Sequence, residues 1–527
     1  MKNILLLAVL TLVIPFAAYT QNPPTWSADV QCIIYSHCTT CHNPNGIAPI
    51  TLLTYDSALA HMSDIKRDVG MKKMPPYLPN INYQHYTDMR VLTPNEITTL
   101  AAWVDAGGPL GDTTQQLPQP VYNSNIVVTN PDITARIPNY TVPNTGTDLY
   151  RCFILTNPQS VTKYIKTIEV IPGNRNAVHH VLVFEDTSAV IVAEDSADAG
   201  PGFTDFGGTG SFSSKLIGAW VPGEGAETMP PNMGIKLPQG ARIIVQIHYP
   251  VGAQGMLDST RVNIQYTANN YVREVGVDDP LNFYTNMTDG PLYIPANTTK
   301  TFHEEYVTPG VDVSILGVAP HGHLVCTALK TFGVSPTNDT IPLIDIPNWD
   351  FHWQGQHSFQ KPVRIPAFST LYGVGTYNNT SSNPNAPTPI QNVYGGEATT
   401  DEMMLFFFWY TVYLPGDENM IIDTTSHQPH YMSCTPTWEP ELESINPTPA
   451  PVQITTWPNP AQNQLNYQCN TGITNIAIID LTGKVLIQNT VAANQGQIQI
   501  ANLATGLYLV RFRNKNGGTQ ILRFVKQ

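Results

Sequence analysis

The chain has 527 residues, 42% of them hydrophobic and only 13% charged, with 45 Pro, 37 Gly and a formal net charge of -14. That length exceeds one ordinary domain, and few charges with many turn formers predict short strands and loops, so a mainly β chain of several domains. The acidity excludes nucleic acid as a partner, because that needs clustered Lys and Arg.

Residues 1–20 read as a secretory leader. Lys2 starts it, Leu5 to Ala18 is its apolar run, and small residues at Ala17 and Ala18 precede an expected cut near Thr20. The run is short for a membrane span, and no later apolar stretch is long enough, so no transmembrane segment is expected. The expected destination is the cell surface or the medium, reached through the periplasm.

Residues 21–112 form the first unit, with helices predicted over Ser27 to His37 and Pro94 to Ala106. Thr93-Pro94-Asn95-Glu96 supplies a cap, a proline at the first helical position and a Glu three residues after the cap. Gly107-Gly108 is a stop signal. Between the helices stands Cys38-Thr39-Thr40-Cys41-His42, the C-x-x-C-H spacing that attaches haem c: two thiols add across the vinyl groups, and the histidine becomes an axial ligand. A thioether is a common second axial ligand. Met74, in Met74-Pro75-Pro76, is the first candidate, Met71 its rival, and Met62 and Met89 come behind. A zinc or redox pair is the alternative, and the missing second Cys pair argues against zinc. Cys41 to Pro49, Met74-Pro75-Pro76 and Trp103-Val104-Asp105-Ala106-Gly107 resemble small α-helical monohaem cytochrome c domains of secreted bacterial proteins. A polar linker, Thr113 to Gln119, follows.

The other five cysteines, Cys32, Cys152, Cys326, Cys434 and Cys469, are odd in number. A disulfide among Cys152, Cys326 and Cys434 is expected in an oxidising compartment, with the pair left open.

From 120 to 445 the chain reads as strands rich in aromatic and β-branched residues, such as Val181 to Phe184, Ile243 to Ile247 and Leu405 to Tyr413. Two β-sandwich domains are expected, 120–278 and 279–445. This stretch carries a second set of metal donors. His179 and His180 are neighbours in an apparent strand, where side chains alternate faces. They can share an ion only through a bulge or twist, or by using different ring nitrogens. His248, on another strand, completes a trio. His321-Gly322-His323 sets two imidazoles on one face, and the Met403 thioether would soften that second site towards Cu(I).

In order and spacing, Asp148 to Cys152, Val178-His179-His180, Ala219-Trp220, Leu237 to Gly240, Val245 to Tyr249, His321-Gly322-His323 and Asp401-Glu402-Met403 resemble the copper type II, ascorbate-dependent monooxygenases. The resemblance spans about 145 to 437. It implies two jelly-roll domains with one copper each: His179, His180 and His248 at the electron-transfer copper, and His321, His323 and Met403 where dioxygen and a small organic substrate meet. One oxygen atom enters a C–H bond and the other becomes water. An external reductant such as ascorbate, or the fused haem, is the expected electron donor. Peptide-amidating members carry Arg, Asn and Tyr where this chain has Ala319, Leu405 and Phe407, so a peptide carboxylate is not the expected substrate. An apolar or aromatic one fits better. A non-catalytic haem and copper electron carrier is the other reading of the same residues.

After a linker at 446–451, residues 452–527 read as a small β-sandwich. Trp457-Pro458-Asn459-Pro460-Ala461, Asp480 to Lys484, Leu503 to Tyr508 and Phe524-Val525-Lys526 resemble the sorting domain of type IX secretion substrates. That implies the type IX secretion machinery as a partner.

Overall fold

The computed structural model describes residues 22–87, 89–122, 126–268, 271–422, 454–480, 484–514 and 519–527. The leader at 1–20, Cys434 and the linker at 446–451 lie outside them.

At the N-terminal end, a π turn at Trp26–Val30 runs into the α-helix Gln31–His37. Helices Tyr55–Ala60, Met62–Gly70 and Pro94–Asp105 complete this unit. Thr93 caps the last of these as its sequence requires. Its hydroxyl accepts from Glu96 N–H at 3.1 Å, and the Glu96 carboxylate accepts from Thr93 N–H at 2.7 Å, an arrangement that stabilises a helix start by about 1 kcal/mol. Trp26, Ile34, Leu100 and Trp103 close the core, with the two indole rings 6.2 Å apart.

The body is β. A nine-stranded sheet runs in the order Ile133–Arg136, Arg261–Tyr266, Lys163–Ile171, Met233–Leu237, Arg273–Asn282, Leu405–Val412, Val313–His321 and His357–Ile365, with Glu227–Thr228 beside Lys163–Ile171. A five-stranded sheet, Phe203–Thr204, Leu149–Leu155, Arg242–Tyr249, His180–Asp186 and Lys215–Trp220, covers its first half. Phe153, Ile168, Val183, Val245 and Ile264 fill the space between. A four-stranded sheet, Thr298–Val307, Thr370–Asn379, Cys326–Val334 and Thr340–Ile346, covers the second half over Phe302, Leu329, Phe359, Tyr377 and Phe406. Two sandwiches thus share one long sheet. Its hinge strand, Arg273–Asn282, pairs in parallel with Met233–Leu237 and antiparallel with Leu405–Val412.

The segment after the third helix leaves the helical unit and packs on the second sandwich. Asn80 N–H donates to Asp345 O at 2.7 Å, Tyr86 Oη donates to Leu343 O at 2.6 Å, and Tyr77, Leu78 and Met89 join the second core. The C-terminal unit is a single five-stranded antiparallel sheet. Its 16-residue strand Gln464–Ile479 shifts register between Gln468 and Ile473, and one core takes residues from both halves. Among the described residues no helix is long and apolar enough to cross a membrane.

Candidate metal centres

His180 opens the strand His180–Asp186 and stands opposite His248, which lies between it and Tyr150 on adjacent strands. His179 precedes the strand, in a bend, and its N–H donates to His248 O at 2.9 Å. The bend removes the alternation that a regular strand would impose. Neither a bulge nor a choice of unlike nitrogens is needed, because the two Nδ1 atoms lie 3.2 Å apart. One ring nitrogen from each of His179, His180 and His248 falls within 4.8 Å of the others.

His248 is 1% exposed, and neither of its ring nitrogens has a hydrogen-bond partner. An orphaned imidazole of this kind is costly without a further ligand, and a metal ion fits that need. Tyr150 stacks on it at 4.2 Å and 8°. Asp148 Oδ2 lies 3.5 Å from His248 Nε2. With that imidazole, the Thr399 hydroxyl and the Val251 N–H around it, the Asp148 carboxyl is held well below its usual range. Burial lowers the His179 pKa to about 4 and pushes His180 well below normal, so both rings are neutral and able to bind metal at neutral pH.

The second pair forms where the strand Val313–His321 ends. The His321 and His323 rings sit 5.0 Å apart. His321 Nδ1 donates to Gln354 Oε1 at 2.5 Å and His323 Nδ1 to the Asp401 carbonyl at 3.1 Å, which fixes both tautomers with Nε2 as the nitrogen able to bind metal. Burial lowers these pKa values to about 4 and about 3. Gly322 lets the pair approach Met403: a Cβ there would lie 3.0 Å from Cys326 Sγ and 3.4 Å from Met403 O. Both Met403 and Met404 are buried. Met404 Sδ is turned onto Gly375 in the four-stranded sheet, while the Met403 carbonyl lies against Gly322, between the two histidines in sequence.

Glu402 anchors this corner. Its fully buried carboxyl accepts from the N–H groups of His323, Val325, Cys326 and Met403 at 2.7–3.1 Å. Burial raises its pKa to about 8, yet N–H groups can only donate, so all four are satisfied only by the carboxylate. Sequence reasoning quoted Glu402 inside a motif and gave it no role. Gln354 carried no signal at all.

In the helical unit, Cys41 N–H and His42 N–H both donate to Cys38 O, which curls the motif off the first helix. His42 Nδ1 donates to Ile50 O at 3.1 Å and leaves Nε2 free. Burial pushes the Cys38 thiol up to about 12 and raises Cys41 too, which is opposite to the lowered pKa of a redox-active pair. Met62 Sδ lies beside Gly108 in the core, Met89 belongs to the second sandwich, and Met71 is 51% exposed. Met74 is half-buried outside those cores, just past the third helix. Of these four methionines, Met74 is thus the one neither packed in a core nor exposed.

The expected bridge among Cys152, Cys326 and Cys434 does not join the first two. Both carry free thiols, one in each sandwich. Folding places them in separate cores, a separation that spacing along the chain could not reveal.

Comparison with known proteins bears on parts of the chain. Residues 133–254 match the family "Copper type II ascorbate-dependent monooxygenase, N-terminal domain", and residues 455–527 match "Secretion system C-terminal sorting domain". The sorting match indicates export to the cell surface or secretion. DBH-like monooxygenase protein 2 of Mus musculus is 25% identical over 293 residues, 52% of this chain and 45% of the relative. Dopamine beta-hydroxylase of Rattus norvegicus is 28% identical over 306 residues, with the same shares of 52% and 45%. The chain thus spans under half the length of these two relatives. Among solved structures, PNGase F, a glycosylasparaginase from Flavobacterium meningosepticum, is 12% identical, covers 55% of this chain and 98% of its own, and has a TM-score of 0.25, too low for one fold to inform the other.

Proposed function

We propose that this protein is an exported copper monooxygenase that hydroxylates a C–H bond of a small organic substrate. The observation that carries the reading is the trio His179, His180 and His248, with one ring nitrogen of each within 4.8 Å of the others and His248 buried with Asp148 at 3.5 Å but no closer hydrogen bond. The likeness of residues 133–254 to the copper type II domain supports it. In this reading that trio holds one copper, and His321, His323 and Met403 hold the second.

Bound copper supplies single electrons and an open position for dioxygen. The balance is one C–H bond, one dioxygen, two electrons and two protons giving one alcohol and one water. The chain prepares this chemistry. Burial keeps the imidazoles neutral, Gln354 and the Asp401 carbonyl set the tautomers of His321 and His323, and Glu402 fastens the loop that carries His323 to the segment with Met403 just before the strand Leu405–Val412. Ala319, Leu405 and Phe407 offer no cation or amide to a peptide carboxylate, which favours an apolar or aromatic substrate.

In this reading Cys38, Cys41, His42 and Met74 would hold a haem c, which would supply electrons beside ascorbate. Docking of the helical unit supports it. Asn45 O, four residues past Cys41, accepts from Arg175 Nη1 at 3.3 Å, and Arg175 is four residues before His179. Arg90 lies near enough to Cys41 to oppose the effect of burial on its thiol, and its Nη1 lies beside Gly223.

The test is metal and haem content of the purified protein followed by reductant-driven oxygen uptake. Two coppers per chain are expected, and His321→Ala should keep one copper and lose oxygen uptake. Fewer than two coppers in the parent protein sinks the reading. Stopped-flow spectroscopy tests the haem branch: reduced haem that reoxidises no faster with copper and dioxygen than without copper removes haem from the electron path.

A further inference from the structure

We propose that Phe351 is the bridge through which electrons pass between the two histidine centres, with 350–354 as the positioning element that holds both centres against it. The proposal rests on the two-copper reading above. Phe351 stacks on His179 at 5.1 Å and 21°, and meets His323 edge-on at 5.8 Å and 83°. A ligand histidine of each centre therefore touches the same ring.

Phe351 is 7% exposed, yet it belongs to neither apolar core of the sandwiches. Among the described residues its aromatic-ring partners are all imidazoles, the third being His352 at 5.9 Å. Core packing does not account for that choice of neighbours. The ring has no donor or acceptor atom, so it neither binds the ions nor carries a proton. It places π-bonded carbon between His179 and His323.

The ring is held in place from both sides. Asp350 Oδ1 accepts from His352 N–H at 3.0 Å and caps the single helical turn Phe351–Trp353. Gln354 Nε2 donates to Phe351 O at 3.1 Å, while Gln354 Oε1 accepts from His321 Nδ1. One short segment thus touches His179 of the first centre and both histidines of the second, and because Gln354 bonds the Phe351 backbone, a change of the ring leaves the His321 contact in place.

In the step assigned to this bridge, copper at His179, His180 and His248 goes from Cu(I) to Cu(II). One electron arrives at the centre of His321, His323 and Met403, where dioxygen reduction consumes it. An ascorbate-class reductant resets the first centre.

The experiment injects one electron into the fully oxidised two-copper protein with a pulse-radiolytic radical and follows its equilibration between centres by rapid-freeze electron paramagnetic resonance. No substrate is needed. Phe351→Leu should slow the concentration-independent phase by about tenfold or more, with both Cu(II) spectra unchanged. Phe351→Tyr, which keeps the ring, should restore it. Phe351→Met replaces the Leu variant if that one loses copper. Equal rates in the parent and a two-copper Leu or Met variant overturn the bridge alone. A parent chain that binds fewer than two coppers overturns the two-copper reading and the bridge together.

Discussion

The Glu402 carboxylate and the His323 N–H meet at 2.9 Å, joining residues 79 positions apart in the chain. The same carboxylate takes the N–H of Met403, so one side chain fixes two of the donors proposed for the second copper. Glu402→Gln keeps the shape but turns an amide NH2 towards N–H groups. At least one buried donor then loses its acceptor, at about 2–4 kcal/mol. Copper content should fall from two towards one per chain, with the electron paramagnetic resonance signal of the first centre intact. A variant with full copper at the second centre would show that Glu402 does not position it.

Glu227 lines a small cavity between the sandwiches with Met229, Leu316, Gln356, Trp409 and Ile422. Neither carboxyl oxygen has a hydrogen-bond partner, and burial raises the pKa to about 8, with Glu224 adding to the rise. Below the ordinary carboxyl value both folded and unfolded chains hold the proton, so Glu227 adds no pH dependence there. As pH rises from about 4.5 to 8, the unfolded chain releases the proton first and folding is penalised, by roughly 3 kcal/mol at pH 7. Glu227→Gln mimics the neutral acid and removes that penalty. Its thermal midpoint should exceed that of the parent at pH 8 and match it at pH 4, as calorimetry at both pH values would read.

How much of this was legible beforehand depended on how local each signal is. The Thr93 and Glu96 cap lies within four residues and stands where the sequence places it. The histidines are chemically distinctive, and the strands bearing His180 and His248 were visible as apolar runs, whereas the strand ending at His321 was not singled out. The geometry of His179 was not, because a bend before a strand leaves no periodicity to read. Tyr77, Leu78 and Met89 read as part of the first unit, yet they pack into a core built mainly from Leu281 onward. Gln354 and Phe351 gain meaning only from partners that the fold brings to them. The hinge strand Arg273–Asn282 looks like any other strand until both its neighbours are known.

Glu305 joins the C-terminal unit to the second sandwich. Its carboxylate, 4% exposed, pairs with Arg511 at 3.0 Å and with Arg513. Val307 packs beside it against Ala477, Ile479 and Leu509. Glu305→Gln leaves two guanidinium groups facing a neutral amide at a buried contact, which is the costly way to break an ion pair. Limited proteolysis should then release the unit 452–527 faster than in the parent, with copper content unchanged. Equal release rates would mean that the apolar contact alone holds the unit in place.

Arg273 and Asp417 close the far end of the hinge strand. Asp417 accepts from Arg273 Nη1 at 2.8 Å and Nη2 at 2.7 Å, from Ser314 Oγ at 2.7 Å and from Leu414 N–H at 3.0 Å. The Arg273 bonds foremost hold its pKa down to about 2. A depressed carboxyl stabilises the fold above its unfolded value, near 3.8, and that contribution disappears as pH falls through the folded value, near 2. The pair is largely buried, at 13% and 6% side-chain exposure, so the pH-linked part is roughly 2 kcal/mol. Asp417→Ala costs more, about 3–5 kcal/mol, because it strands Arg273 without a partner. Since Arg273–Asn282 carries both sandwiches, that loss should appear as a lower midpoint for the whole β body in urea unfolding at pH 7, and the gap to the parent should narrow near pH 2. A gap of constant size between pH 7 and pH 2 would show that the ionised pair is not what stabilises this end of the strand.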